Sequence, residues 1–153
     1  MLKSAVINAI LARLDAELEM LLRGARASFA AATDPDSKAE NKYDTRTLEA
    51  SYVARGQARR VAELQAARQD FAALNSSLSD SVRAGSLVEL GQQGLNELYF
   101  MGPAEGGLEV TVEGREVMVI TPASPLGARL MGARAGDDVS LPSGRKARLL
   151  QVN

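Results

Sequence analysis

A seven-residue apolar repeat in the opening stretch of the chain constrains its fold more than any other feature. Ile7, Leu14 and Leu21 recur at seven-residue intervals, and the small Ser28 takes the next place. Leu11, Leu18, Ala25 and Ala32 recur four residues later. Alternating four- and three-residue steps align these side chains along one edge of a helix, as in a coiled-coil seam. Asp15, Glu17, Glu19 and Arg23 fall off that seam.

The repeat stops at Thr33-Asp34-Pro35-Asp36-Ser37. Proline lacks an amide donor and clashes with the preceding turn, so the helix is expected to end before it. A second helical run is expected from about Ala39 to Ser79, with a seam of Ala50, Ala54, Gln57, Val61, Leu64, Phe71, Leu74 and Leu78. Gly56 and Gln57 weaken that seam locally. Neither helix buries its stripe alone, and the connection between them is short and polar. This pattern predicts an antiparallel hairpin over residues 1–79, monomeric because one chain satisfies both seams. Small seam residues predict a slim far end near 33–44. Large ones (Leu11, Leu14, Leu18, Phe71, Leu74) are expected to meet at the base.

After Ser79 the composition changes. Short β-like runs appear at Leu87–Leu90, Leu95–Met101, Leu108–Val112, Glu116–Thr121, Asp138–Leu141 and Ala147–Val152. Glu113-Gly114 and Pro142-Ser143-Gly144 read as turns between runs. One short helix interrupts them, with Ser124 as N-cap, Pro125 at the first helical position and Gly132 as terminator. Leu126, Leu130 and Met131 are expected to pack beneath it. The expected fold class is therefore α+β: a helical hairpin, then a compact antiparallel sheet carrying one helix over residues 80–153.

The charge balance, 18 basic against 19 acidic residues, gives no argument for binding free DNA through a basic surface. A nucleic-acid role is then local or runs through a protein partner. The chain has neither cysteine nor histidine, which excludes disulfides, thiolate zinc sites and His-based catalytic triads. No apolar run approaches the ~20 residues that span a bilayer, and the first residues do not follow a signal-peptide pattern. The expected location is the cytoplasm, with no membrane contact.

Two charged features stand out. Asp34, Asp36, Glu40 and Asp44 crowd the connection between the helices. With a helix starting near Ser37, Glu40 and Asp44 share a face at i,i+4. Hard carboxylate oxygens suit Mg²⁺, and a few of them can supply part of a site completed by another molecule. Acidic side chains are also favoured at helix N-termini by the macrodipole. Along the second run, Arg46, Arg55, Arg59, Arg60 and Arg68 form a basic series, with Arg55 and Arg59 on one face. Such a series steers toward acidic partners, or is simply a solvated face.

The segment Ser124-Pro-Leu-Gly-Ala-Arg-Leu-Met-Gly-Ala-Arg-Ala-Gly-Asp-Asp-Val139 resembles the C-terminal signature of the bacterial Gre transcript cleavage factors. Gly85-Ser86-Leu87-Val88 resembles the start of the same domain, and Glu40-Asn41 with nearby Tyr43 resembles the family's tip. The resemblance implies an FKBP-like C-terminal domain that docks on RNA polymerase, with Ser124, Pro125, Leu126, Gly136 and Asp137 as candidate docking residues. It implies a coiled coil inserted in the polymerase secondary channel, close to nascent RNA. Asp36 and Glu40 would hold a Mg²⁺ shared with the polymerase, while Asn41 and Asp44 complete the tip. The chain would have no cofactor of its own and would not be an enzyme alone; the polymerase would cut the RNA.

The tip departs from the family pattern of Asp, two residues, then Glu-Asn. Three residues separate Asp36 from Glu40, and Ser37 occupies the expected Asp position. A one-residue shift turns a side chain about 100° around a helix. The competing reading is accordingly a channel binder that inhibits transcription or competes with cleavage factors without cleaving. A prolyl isomerase rests on fold analogy alone, with only Tyr99 and Phe100 as aromatics in the domain. A structural adaptor would require a dimeric rod.

Overall fold

The computed structural model describes residues 1–33 and 45–153. Two long helices come first: α1, Lys3–Thr33, and α2, Thr45–Ala72. Both are rich in Ala, with Leu frequent in α1 and Arg in α2, all strong helix formers, and neither contains proline. The chain separates into two compact units, Met1–Ala12 with Gln69–Asn153, and Arg13–Arg68. The first residues and the end of α2 belong with the sheet.

In the Arg13–Arg68 unit, Leu14, Leu18, Leu64 and Ala67 are buried. The contacts between α1 and α2 run in opposite order along the chain. Asp15 meets Arg68, Glu17 meets Arg60, and Gly24 faces the Gln57 amide. Within this unit the two helices therefore lie antiparallel. A solvent-exposed ion pair contributes only about 0.2–1 kcal/mol. Each buried leucine contributes about 1.5–3 kcal/mol, so the leucines supply more cohesion and the ion pairs fix alignment.

The seams differ from the sequence expectation in three places. Ile10, not Leu11, is fully buried, beside Val6 and Ile7 in the sheet-containing unit. A stripe that includes both 6 and 7 is wider than a coiled-coil seam and suits packing in a globular core. Helix α2 ends at Ala72 rather than Ser79, and Leu78 is 77% exposed. The polar segment after it offers the backbone local alternatives to helix: Asn75 Oδ1 accepts from Ser77 N–H at 2.8 Å, and Ser79 Oγ donates to Ser81 O at 2.7 Å.

The sheet has six strands: β1 Leu87–Gln92, β2 Leu95–Met101, β3 Glu109–Val112, β4 Arg115–Ile120, β5 Asp138–Ser140 and β6 Lys146–Val152. Their spatial order is β3-β4-β2-β1-β6-β5. The expectation of a purely antiparallel sheet is corrected: β2 and β4 pair in parallel, with Leu98 beside Val117 and Phe100 beside Val119. The chain leaves β2, passes over one vacant strand position, descends as β3, and turns back as β4 into the vacancy. A strand inserted this way must run with β2. The Glu113-Gly114 turn has φ of 52° and 74°, and the β1–β2 hairpin turns similarly at Gln93-Gly94 with 50° and 80°. Positive φ at both central residues suits the twist of a two-residue hairpin.

Val88, Leu90, Met101, Ile120 and Leu149 form one buried cluster with Leu130 of the short helix α3, Pro125–Leu130. The alternate residues Leu87, Leu98, Phe100, Val117 and Val119 are buried too, so the sheet is covered on both sides. Phe71 stacks obliquely on Phe100, with ring centroids 6.3 Å apart. A Cβ on Gly102 would fall 2.8 Å from the Phe71 ring, so this position accepts the ring because it has no side chain. Among the described residues, no buried side-chain polar atom lacks a hydrogen-bond partner.

Candidate functional site

The tip acids Asp34, Asp36, Glu40 and Asp44, together with Asn41, lie outside the described residues. Arg46 lies in the first turn of α2, but its side chain is not among those described. Arg55 and Arg59 are exposed on the same helix, one turn apart. The last two arginines of the series are engaged within the helix pair. Arg60 donates to Glu17 at 3.1 Å and to Glu63 at 3.4 Å, while Arg68 forms a two-pronged contact with Asp15. The Asp15 carboxylate raises the already high pKa of Arg68 by hydrogen bonding and charge.

The C-terminal signature builds structure at nearly every position. Ser124 Oγ accepts the Gly127 N–H at 3.0 Å and donates to Thr121 O at 2.7 Å. Pro125 occupies the first helical turn, where a missing amide costs nothing. A Cβ at Gly127 would lie 1.8 Å from Thr121 O, so the cap closes only around glycine. Leu126 packs against the main cluster and Leu130 is fully buried, whereas Met131 is 41% exposed. Met131 caps the helix with φ −54° and ψ 125°, and this extended backbone takes it out of the helical register. Gly136, at φ 93°, donates to Leu149 O at 2.7 Å, and an Asp137 carboxylate oxygen accepts Arg134 N–H at 2.8 Å.

The start of the domain is equally constrained. Gly85, at φ 89°, donates to Met101 O at 2.7 Å, and the buried Ser86 hydroxyl accepts Arg83 N–H at 3.0 Å. Three arginines of the sheet-containing unit are also engaged. Arg115 pairs with Glu89 at 2.9 Å, Arg148 with Asp138 at 3.2 Å, and Arg129 donates to Ser140 O at 2.8 Å.

Surface grooves occur in the sheet-containing unit. One, of about 370 Å³, lies between α3 and β5; five of its six lining residues, Arg129, Asp137 and Asp138 among them, belong to the segment 124–139. Another, of about 440 Å³, runs over β2, β3 and β4 and is rimmed by Glu97, Glu109 and Glu116. At its edge Tyr99 donates to Glu97 at 2.8 Å. Burial, then the bond and charge of Glu97, push the Tyr99 phenol up to about 12.

Lys3 was missed at the sequence level. It is buried, and desolvation together with the charge of Arg83 holds its ammonium below the usual lysine range. A signal was present, since Lys3, Ile7, Ile10 and Leu14 follow one another at four- and three-residue steps. Among the described residues no group of three or more acidic side chains is placed to hold a metal ion.

No protein-family model and no curated protein matches the sequence. Among solved structures, GreA factor homolog 1 (Gfh1) of Thermus thermophilus is similar at 23% identity, over 94% of each chain, with a TM-score of 0.39. A structure of the transcription factor Gfh1 is similar at 23% identity over 95% of this chain and 94% of that one, with a TM-score of 0.40. Gfh1 of Thermus aquaticus is similar at 22% over 95% of each chain, with a TM-score of 0.38. Likeness at this level assigns no role to any residue. No described helix is long and apolar enough to cross a membrane.

Proposed function

We propose that the chain is a Gre-like transcription factor that binds bacterial RNA polymerase at its secondary channel and stimulates cleavage of backtracked RNA. The observation that carries this reading is the segment 124–139. Its Gre-like pattern coincides with a capped helix, a core leucine and a glycine-aspartate turn leading into β5. In this reading the sheet-containing unit is FKBP-like and docks on the polymerase around α3 and the Gly136-Asp137 turn. The two helices form a coiled-coil hairpin that enters the channel.

Asp36 and Glu40 would then supply carboxylate oxygens to a Mg²⁺ shared with the polymerase, with Asn41 and Asp44 shaping the tip. A second ion assists hydrolysis by stabilising charge on the attacking and leaving oxygens. The residues of this chain would position it, and the polymerase would perform the cut.

A second reading is a channel binder that does not cleave. The added residue between Asp36 and Glu40 favours it, because the first acid is displaced from the family spacing. One experiment separates the two: a stalled, backtracked polymerase complex receives the protein, or an Asp36→Ala/Glu40→Ala variant, in Mg²⁺. Shortening of the RNA by the wild type alone supports cleavage at the tip. Absence of shortening, with loss of a known cleavage factor's activity on addition, supports the competitor.

A further inference from the structure

Lys3 and Arg83 make an unusual pair within the sheet-containing unit. Lys3 is only 6% exposed, and its ammonium donates to Ser77 O at 2.6 Å. Arg83 converges on the same serine, where Nη2 donates to Ser77 Oγ at 2.8 Å. Among the described residues neither cation is ion-paired. An ammonium carries three donors, and among the described residues one protein acceptor, Ser77 O, engages it. Burying a charge without a counter-ion is unfavourable, and an incoming carboxylate would relieve it.

The surroundings narrow the choice of ligand. Lys3 lines a groove of about 320 Å³ together with Met1, Leu2, Ser76, Leu78, Gln151 and Asn153. Leu2 and Leu78 are 70% and 77% exposed, so two large apolar side chains stand in water on its rim. We propose that this groove docks a partner protein through a short segment carrying one carboxylate side chain flanked by large apolar residues. The carboxylate is held by Lys3 in the groove and by Arg83, which lies outside the groove lining but reaches the same Ser77, and its neighbours cover Leu2 and Leu78. A nucleic-acid backbone would satisfy the cations but leave the leucines exposed, so a protein segment fits better.

The test uses the full chain, ¹⁵N-labelled, titrated with the capped peptide N-acetyl-Leu-Asp-Leu-amide and with its Asn analogue. The Asp peptide is expected to shift the amides of Leu2, Lys3, Ser76–Leu78 and Gln151. Loss of one charge-assisted hydrogen bond weakens binding about tenfold. The Asn peptide, and an Arg83→Gln variant with the Asp peptide, should each show that loss. Arg83 is exposed, so this variant keeps the fold. Equal binding of the two peptides, shifts centred elsewhere, or no shift at millimolar peptide would each overturn the proposal.

Discussion

Phe71 and Gly102 form a packing pair whose energetics can be worked out in advance. Phe71 is fully buried and rests on Phe100, while Gly102 leaves the space its ring occupies. Phe71→Ala should destabilise the protein by about 3–5 kcal/mol, the range for truncating a buried aromatic. Gly102→Ala places a methyl group 2.8 Å and 2.9 Å from two Phe71 ring carbons and 2.9 Å from Val119 Cγ1. Overpacking of this kind costs about 1–3 kcal/mol. In the double variant the ring is gone and only the Val119 contact remains, so the penalty of Gly102→Ala should fall by at least about 1 kcal/mol. Urea unfolding of the four proteins, followed by circular dichroism, gives the cycle. Strict additivity, or a neutral Gly102→Ala in the wild type, would refute this packing.

Two further outcomes follow from local geometry. Gly127→Ala should cost about 3 kcal/mol in thermal unfolding by disrupting the Ser124 cap and colliding with Thr121 O; a change below about 0.5 kcal/mol, the scale of ordinary surface substitutions, would contradict it. Tyr99 should ionise near 12 in a spectrophotometric titration, and Tyr99→Phe should remove that step. Its folded value lies above the ordinary 10, so the unfolded chain sheds the proton first. The stability that this contributes is present below pH 10 and is lost as pH rises toward about 12.

Local chemistry was the most legible part of the sequence. Ser124, Pro125 and Gly132 marked α3, and Glu113-Gly114 marked a hairpin, because caps and turns are set by residues close in sequence. All six strand runs appear within a few residues of their expected limits. Sheet order was not legible. Alternation reports which face a side chain takes, not which strand lies beside it, so the parallel β2–β4 pair was hidden. The same limit applied to Leu11 and Ile10, adjacent apolar residues of which tertiary packing selected the second. The end of α2 was misjudged because Leu74 and Leu78 continue the helical spacing while the Asn and Ser residues around them favour local bonds. Of the candidate site, the signature from Ser124 to Asp137 resolved into caps, turns and core, and the tip acids lie outside the described residues.

Association with core RNA polymerase tests the central proposal most directly. A fluorescently labelled chain, mixed with core polymerase at low salt, is expected to bind and to be displaced by a known secondary-channel cleavage factor. Absence of binding, or binding that such a factor does not displace, would contradict the assignment to that channel.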